Sequence, residues 1–144
     1  MLEMQIRTAT PTDIDTILAL QTQIYRTEKV AESAKETLEK QLQDETCQIL
    51  VAQENSRIIG TGTIYYIEVA TRARPYAFLE GFVVDQKLRG KGIGTSLLQE
   101  VIKIARYKNC YKIIFTSGDD RQEARKLYEK LGFKRWGVEF RMDL

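Results

Sequence analysis

A short apolar run, a glycine-rich turn and an amphipathic helix follow one another without interruption near the middle of the chain. Residues 82–85 are mostly apolar, three glycines alternate with other residues over 90–94, and apolar residues then recur with helical spacing to about Asn109. Glycine lets a backbone turn sharply and approach an anion closely, and the first N–H groups of a helix have no intrahelical acceptor. The arrangement predicts a tight connection from a buried strand to a helix.

Positive charge surrounds this turn. Lys87, Arg89 and Lys91 are basic, and no acidic residue occurs over 86–99, so no local carboxylate competes for the positive end of the helix dipole. The pattern alone allows two interpretations, a turn that simply needs glycine and a cradle for a phosphate group. The GxGxxG spacing of dinucleotide-binding folds fails because Leu97 replaces the third glycine, and GxxxxGK[ST] is absent, which argues against a nucleotide triphosphatase.

The 144-residue chain contains no histidine, which restricts its chemistry. Ser-His-Asp sites, Cys-His sites and histidine metal sites are excluded, so any proton transfer must use other side chains or water. The two cysteines, Cys47 and Cys110, are not clustered, so we expect neither a metal site nor a disulfide framework. No apolar run approaches the ~20 residues of a membrane span, and the start lacks a signal-peptide pattern. These features favour a cytoplasmic protein with no membrane partner.

The length and the order of predicted elements indicate one α/β domain over residues 1–144. A capping-box-like spacing, Thr10 to Asp13 with Pro11 between them, marks the first helix start. The predicted order is βααβββαβαββ around one central sheet. The predicted strands cover 4–8, 47–53, 57–68, 76–85, 112–117, 133–136 and 138–143, and the predicted helices cover 11–25, 33–43, 92–109 and 120–131.

Two separate segments resemble one known family. Arg89-Gly90-Lys91-Gly92-Ile93-Gly94 matches the [QR]-x-x-G-x-[GA] signature of the GNAT acyltransferase superfamily. The preceding strand at 80–85 and the segment Ala124–Phe133 also resemble that family, and the element order resembles the GNAT fold from end to end. The resemblance implies a central mixed, twisted β-sheet flanked by helices, with acetyl-CoA as the acetyl donor and no metal.

The resemblance also assigns the coenzyme contacts. In this family the signature's backbone amides hold the coenzyme A pyrophosphate, and the pantetheine arm pairs like an extra strand with the bulged strand before it. A bulge would leave backbone groups unpaired, free to bind the arm and polarise the thioester carbonyl. The implied cofactor-binding residues are Phe82, Val83, Val84, Arg89, Gly90, Lys91, Gly92, Ile93, Gly94 and Thr95.

Two catalytic residues follow from the same resemblance. Tyr128 matches the tyrosine that lies near the coenzyme sulfur in many members and protonates the departing thiolate; the alternative is a half-buried core tyrosine. Glu80 is the candidate general base, directly or through water; the alternative is an anchor for a cationic substrate or a solvent-facing side chain. Many members carry an asparagine before the tyrosine helix, but residues 117–122 read SGDDRQ. We expect any replacement for that contact among Ser117, Arg121 and Arg125.

The expected function is direct transfer of an acetyl group from acetyl-CoA to a primary amine of a small molecule in a ternary complex. The expected acceptor is of the amino sugar, aminoglycoside, polyamine or amino acid type. Acceptors of this fold enter between the first two helices and the final strand pair, near 25–34, 65–75 and Gly137. Alternatives are a protein lysine or N-terminal acetyltransferase and a non-catalytic acyl-CoA-binding module. The resemblance is compatible with a homodimer.

A nucleic acid partner is not predicted. Residues 73–144 carry 15 basic and 9 acidic side chains, but no RNP, helix-turn-helix or zinc-finger pattern accompanies that charge. Such a charge balance is also typical of an ordinary solvated surface.

Overall fold

The computed structural model describes residues 3–25, 29–118 and 122–144. Its strands are β1 (Met4–Thr8), β2 (Cys47–Glu54), β3 (Arg57–Val69), β4 (Arg74–Val84) and β5 (Ile113–Ile114). Its helices are α1 (Ile14–Tyr25), α2 (Ala34–Gln43), α3 (Ile93–Tyr107) and α4 (Gln122–Lys130). The chain divides into two compact units, Met1–Ile114 and Phe115–Leu144, which are described in turn.

The first unit contains a five-stranded mixed sheet in the order β1-β2-β3-β4-β5. Strands β1 to β4 pair antiparallel in sequence order, and β5 joins β4 in parallel. The predicted hairpin between β2 and β3 is present, and Asn55 in its turn has a φ of 55°. Asparagine tolerates this left-handed conformation better than most residues, which explains its place in the turn.

Two apolar clusters show how the helices pack on the sheet. Ile17 of α1 and Leu38 of α2 are buried with the β2 residues Ile49 and Val51. A separate cluster contains Ile93 of α3 and the strand residues Ala52, Ile59 and Val84. Since successive residues of a strand point to opposite faces, the neighbours Val51 and Ala52 place the two clusters on opposite faces of β2. The fold class predicted from the sequence, a central mixed sheet flanked by helices, is confirmed.

The predicted start of the first helix is also confirmed. Pro11–Asp13 form one 3-10 turn that leads into α1, and Asp13 Oδ2 accepts a hydrogen bond of 2.8 Å from the Thr10 backbone N–H. The buried Asp13 carboxylate also accepts two hydrogen bonds from the Arg7 guanidinium, at 2.7 and 3.0 Å. These contacts hold the pKa of Asp13 below its ordinary value, with the Arg7 hydrogen bonds as the largest cause. β1 and the start of α1 are thereby tied together.

The second unit contains α4 and a small aromatic cluster. Tyr128 packs edge-to-face on Phe115 with ring centroids 4.7 Å apart, and Phe115 packs on Phe133 at 5.0 Å. The Phe133 N–H donates to the Tyr128 carbonyl across Gly132, whose φ is 102°. This is a Schellman-type helix end, and it confirms that Gly132 ends the predicted helix. The predicted start at Asp120 lies outside the described residues.

The last two predicted strands, 133–136 and 138–143, are wrong. Residues 133–144 are all described, and none of them belongs to a helix or a strand. The alternation of apolar and polar residues that predicted them is present, but a strand also needs a neighbouring strand for its backbone hydrogen bonds. β5 is likewise shorter than predicted, with two residues instead of six. None of the helices found in the described parts of the chain is long and apolar enough to cross a membrane.

Candidate active site

A β-bulge lies near the end of β4, where the coenzyme arm was expected. Thr63 pairs with Glu80 and Thr61 pairs with Val83, so the single β3 residue Gly62 lies opposite two residues of β4. One of these two residues, Gly81, has a φ of 61°, and glycine in the left-handed region is typical of such bulges. The bulge expected near Phe82–Val84 is therefore present, and it consists of Gly81 and Phe82.

Helix α1 packs directly against this bulge. The φ of Gly81 favours glycine, and a Cβ atom there would lie 3.2 Å from the Gln21 side-chain nitrogen, so that side chain would have to shift. On the other strand, a Cβ at Gly62 would lie 3.4 Å from the Phe82 ring. Gly62, Gly81 and Gln21 therefore determine the conformation of the bulged backbone and the space around it.

The bulged part of β4 has one unpaired edge. β5 pairs with β4 only at Ala77 and Phe78. From Leu79 to Val84, no strand in the described residues pairs with the edge of β4 that faces β5. An extended ligand can therefore add to this edge by backbone hydrogen bonds, as a peptide adds to an open sheet edge.

Asp85 organises the turn that follows. Asp85 is buried, and its side chain accepts a hydrogen bond from the Lys87 backbone N–H at 3.2 Å and forms an ion pair with Arg57 at 3.2 Å. Its own N–H donates to the Ile59 carbonyl at 2.8 Å. Sequence reasoning assigned Asp85 no role. An aspartate that directly follows an apolar strand and precedes a turn was the available signal.

Two further contacts tie the turn to its surroundings. The Gln86 N–H donates to the side-chain oxygen of Gln23 in α1 at 3.0 Å, and the Arg89 Nε donates to the Val84 carbonyl at 3.2 Å. The predicted phosphate ligand Arg89 therefore uses one of its five N–H donors to close the turn. The remaining donors are those of its terminal nitrogens.

The start of α3 has the geometry of an anion cradle. Gly90 and Gly92 have φ angles of 81° and 84°, and a Cβ at either position would meet nothing within 4 Å. Gly92 is the N-cap residue of α3, makes no side-chain capping bond, and is followed by a first turn without acidic residues. The N–H groups of Ile93, Gly94 and Thr95 therefore have neither an intrahelical acceptor nor an N-cap side chain to satisfy them. Backbone donors and the helix dipole together favour a bound anion here.

Glu80 lies beside the bulge with polar neighbours on β3. It is half-buried and pairs in register with Thr63, so the two side chains share a face of the sheet. The pKa of Tyr65 is raised mainly by burial, and the charge of Glu80 contributes to the shift. The Tyr65 hydroxyl accepts a hydrogen bond of 2.7 Å from Gln41 of α2. Glu80, Tyr65 and Gln41 thus form a polar group on the α1–α2 side of the sheet.

The first unit brings together most of the predicted site. In this unit Glu80 lies on the bulged strand, and the glycine-rich turn follows that strand directly. The predicted coenzyme-binding residues lie between Phe82 and Thr95. Tyr128 belongs to the second unit, where it is half-buried beside Phe115. Arg121 lies outside the described residues, as does part of the predicted acceptor region near 25–34. Residues 3–25, 29–118 and 122–144 include no group of three or more metal-ligating side chains.

Comparison with known proteins agrees with this geometry. The acetyltransferase (GNAT) family matches residues 14–133. Over 93 residues the chain is 36% identical to the glucosamine 6-phosphate N-acetyltransferase of Trypanosoma brucei brucei, covering 64% of this chain and 61% of that protein. It is 32% identical over 79 residues to the thialysine N-epsilon-acetyltransferase of Mus musculus, covering 55% of this chain and 46% of that protein. The chain thus aligns with about half to three fifths of these relatives.

A solved structure extends the similarity to the whole chain. The crystal structure of a Trypanosoma brucei acetyltransferase superposes with a TM-score of 0.84 at 25% identity, covering 99% of this chain and 100% of that one. The chain belongs to the GNAT family of acetyltransferases. The family predicted from the signature at residues 89–94 is confirmed.

Proposed function

We propose that this chain transfers the acetyl group of acetyl-CoA to the primary amine of a small molecule, by direct attack within a ternary complex. The observation that carries the proposal is the continuity of three features: a half-buried carboxylate at Glu80, a bulged strand with an unpaired edge, and an anion cradle at the start of α3. Each feature suits one part of the reaction, and they occur in the order that an extended coenzyme requires.

The cradle and the strand edge account for coenzyme binding in this proposal. The N–H groups of residues 92–95 bind the pyrophosphate, with Lys87, Arg89 and Lys91 adding positive charge. The pantetheine arm lies along β4 at Phe82–Val84, where β5 forms no pairs. Backbone N–H groups at the bulge then polarise the thioester carbonyl, because donors held in place by the fold stabilise the oxyanion as it forms.

In this proposal Glu80 acts as the general base and Tyr128 acts as the general acid. Glu80 removes a proton from the ammonium group, and the free amine attacks the thioester carbon to form a tetrahedral intermediate. Its collapse breaks the C–S bond, Tyr128 protonates the departing thiolate, and the nitrogen loses its second proton through water to restore the Tyr128 hydroxyl. The products are an N-acetyl amide and free coenzyme A, and the proton taken by Glu80 is released to solvent. General acid and base groups of this kind contribute roughly 10²- to 10⁴-fold each. Because the amine attacks the thioester directly, no acetyl-enzyme forms.

The acceptor class we propose is an amino sugar, with glucosamine 6-phosphate as the first compound to test. The similarity to the Trypanosoma brucei brucei enzyme supports this choice. The similarity to thialysine N-epsilon-acetyltransferase makes an amino-acid side-chain amine the second class. The aminoglycoside, polyamine and lysine-peptide acceptors complete the set of amines to compare.

Release of free coenzyme A from acetyl-CoA tests the proposal. We expect release that depends on an amino-sugar acceptor, with initial-velocity lines that intersect when both substrates are varied. Parallel lines would indicate an acetyl-enzyme and contradict direct transfer. Release with lysine peptides alone would identify a protein acetyltransferase. No release with any amine, together with protection of the fold by acetyl-CoA against heat, would identify a binding module.

A further inference from the structure

A cavity of about 660 Å³ lies between helix α1 and the sheet of the first unit. One wall is the face of α1 that carries Thr16, Leu20 and Gln23, and the rest comes from β1, the β2–β3 hairpin and the residue after β4. Its volume is within the range of small-molecule sites. None of the β4 residues, all of which are described, lines it. The cavity is therefore separate from the edge of β4 where the coenzyme arm is proposed to lie.

Two arginines line the cavity, and each is held by a carboxylate beneath it. Arg7 forms an ion pair of 2.7 Å with Asp13, and Arg57 forms one of 3.2 Å with Asp85. The Arg57 side chain is 66% exposed while that of Asp85 is 11% exposed, and the values for Arg7 and Asp13 are 27% and 6%. The carboxylates are thus covered, and the guanidinium groups are the charges that a ligand can reach.

The carboxylate beneath Arg7 has no capacity left for a ligand. Asp13 accepts two hydrogen bonds from Arg7, one from the Thr10 backbone N–H and one from the Thr10 hydroxyl. A carboxylate offers about four such positions. A cationic ligand therefore finds no open acceptor at Asp13, which argues against a cationic ligand.

Hydrogen-bond donors, by contrast, remain unused. Arg57 has five N–H donors, and the described residues accept a hydrogen bond from only one of them, at Asp85. The Gln23 side-chain oxygen accepts the Gln86 N–H, while the Gln23 amide nitrogen donates to none of the described residues. The cavity therefore favours a ligand whose polar groups are acceptors. Because Arg7 lies on β1 and Arg57 on β3, with β2 between them, a ligand that contacts both guanidinium groups needs two anionic groups.

The cavity lining also includes apolar side chains. Leu20 of α1 is buried, and Ile58 of β3 is partly buried against the core beneath α1. Such a surface suits the hydrocarbon part of a ligand. We propose that this cavity binds a small organic dianion, a short carbon chain with a carboxylate or a phosphate at each end, and that the bound dianion lowers the affinity of the protein for acetyl-CoA.

The second part of this proposal rests on the proposed binding of acetyl-CoA at the turn after β4. Two cavity side chains hold that turn, since Asp85 accepts the Lys87 N–H at 3.2 Å and Gln23 accepts the Gln86 N–H at 3.0 Å. A bound dianion competes with Asp85 for Arg57 and adds negative charge near the site of an anionic coenzyme. Both effects weaken acetyl-CoA binding, and by linkage acetyl-CoA weakens dianion binding by the same factor.

Calorimetric titration of the wild-type protein tests the site directly. The probes are adipate, with two carboxylates, and fructose 1,6-bisphosphate, with two phosphates. Hexanoate and fructose 6-phosphate are the matched controls, because each keeps the carbon chain and one charged group. We expect at least one dianion to bind once per chain, about tenfold or more tightly than its control. The titrations are repeated with saturating coenzyme A, which occupies the cradle, and the dianion should still bind.

Acetyl-CoA titrations at increasing dianion concentration test the coupling. The Kd for acetyl-CoA should rise by roughly 5- to 150-fold and then level off, because two coupled sites have a limiting factor. A Kd that rises in proportion to the dianion concentration without levelling off would show competition for the cradle and overturn the proposal.

Variants of Arg57 test whether the dianion binds in this cavity. Arg57→Gln should weaken dianion binding about tenfold or more, whereas Arg106→Gln, at an exposed arginine of α3 outside the cavity, should not. Arg57→Lys keeps a positive charge beside Asp85 but loses the guanidinium donors. It should retain the acetyl-CoA affinity measured without dianion while binding the dianion more weakly, which a purely structural ion pair does not predict.

Three further results would overturn the proposal. The first is no dianion binding tighter than that of the single-charge controls. The second is equal dianion affinity in wild type and Arg57→Gln, and the third is unchanged acetyl-CoA affinity at saturating dianion. Failure of acetyl-CoA to bind when no dianion is present is a different result, because it contradicts the proposed function and leaves the dianion titrations valid.

Discussion

β4 contains a nearly continuous apolar run and residues 134–144 alternate apolar residues with polar residues or glycine, yet only β4 is a strand. In β4, Ala77, Leu79 and Val83 are buried, and β3 pairs with the strand along nearly its whole length. In residues 134–144, the alternate apolar side chains are exposed and no residue belongs to a strand. An apolar pattern thus identifies residues that favour burial, whereas a strand also requires backbone hydrogen bonds to a neighbouring strand.

The largest expected effect is on kcat and concerns Glu80, beside the bulge of β4. Glu80→Gln removes the proposed base while keeping the size of the side chain. We expect kcat to fall by roughly 10²- to 10⁴-fold with little change in acetyl-CoA affinity, because the amide cannot take a proton. Steady-state coenzyme A release measures this.

The control for Glu80→Gln is Glu39→Gln, an exposed carboxylate on α2. It should retain wild-type kcat. If Glu80→Gln also retains wild-type kcat, Glu80 serves only as an anchor or faces solvent, and another group is the base.

The next effect concerns the helix that covers β4. Leu97 in α3 is fully buried and Tyr107 in the same helix is 87% exposed. Leu97→Ala should lower the free energy of unfolding by about 2–5 kcal/mol, whereas Tyr107→Ala should change it by less than about 0.5 kcal/mol. Urea denaturation of both variants provides the comparison, and equal losses would contradict the assigned core.

The sequence predicted the first unit well because its signals are local. The β2–β3 hairpin, the capping residues around Asp13 and the turn before Ile93 are each specified by neighbours in the sequence. The contacts that shape the site were missed, since Gln21 and Gln23 reach the bulge and the turn from a helix about sixty residues earlier. Such contacts depend on the register of α1 against β4, which no local pattern encodes.

The errors at the end of the chain have a physical cause as well. The alternation at 138–143 is present in the sequence, but a strand also needs backbone hydrogen bonds to a neighbouring strand, which no local pattern specifies, and no strand is found there. The position of the bulge was expected from family resemblance, while the register shift itself became visible only once β3 and β4 were paired.

A smaller kinetic effect is expected in the second unit. Tyr128→Phe keeps the ring contact with Phe115 and removes the proposed proton donor. We expect kcat to fall by roughly 10- to 100-fold, toward the lower end for a general acid, with unchanged acetyl-CoA binding. Tyr107→Phe is the matched control and should behave as wild type. Equal rates for both variants would leave Tyr128 as a packing residue.

A change in the anion cradle should affect binding more than chemistry. Gly92 has a φ of 84°, so Gly92→Val introduces strain of about 1–3 kcal/mol or shifts the backbone donors. We expect acetyl-CoA affinity to fall about tenfold or more by calorimetry. Gly137→Val, at a glycine with open space and no positive φ, should leave affinity unchanged. Full affinity in Gly92→Val would contradict the cradle.

The smallest effect is the pH dependence of the Arg7–Asp13 ion pair. The folded-state pKa of Asp13 lies below its unfolded value of 3.8, so the pair stabilises the fold above about pH 4 and its contribution is lost as pH falls through the folded pKa. Asp13→Asn should therefore reduce stability at pH 7 and flatten its acid dependence. Thermal unfolding from pH 7 to pH 2 measures both, and parallel curves for the two proteins would refute the linkage.

The central claim is that acetyl-CoA bound along β4 transfers its acetyl group with Glu80 as the base. The most direct test measures coenzyme A release from acetyl-CoA with glucosamine 6-phosphate as the acceptor. Wild type, Glu80→Gln and Glu39→Gln are compared. The expected result is release by wild type and Glu39→Gln, and a loss of at least about 100-fold in Glu80→Gln while acetyl-CoA still binds. Release that is equal in all three proteins would contradict the proposed role of β4 in the chemistry.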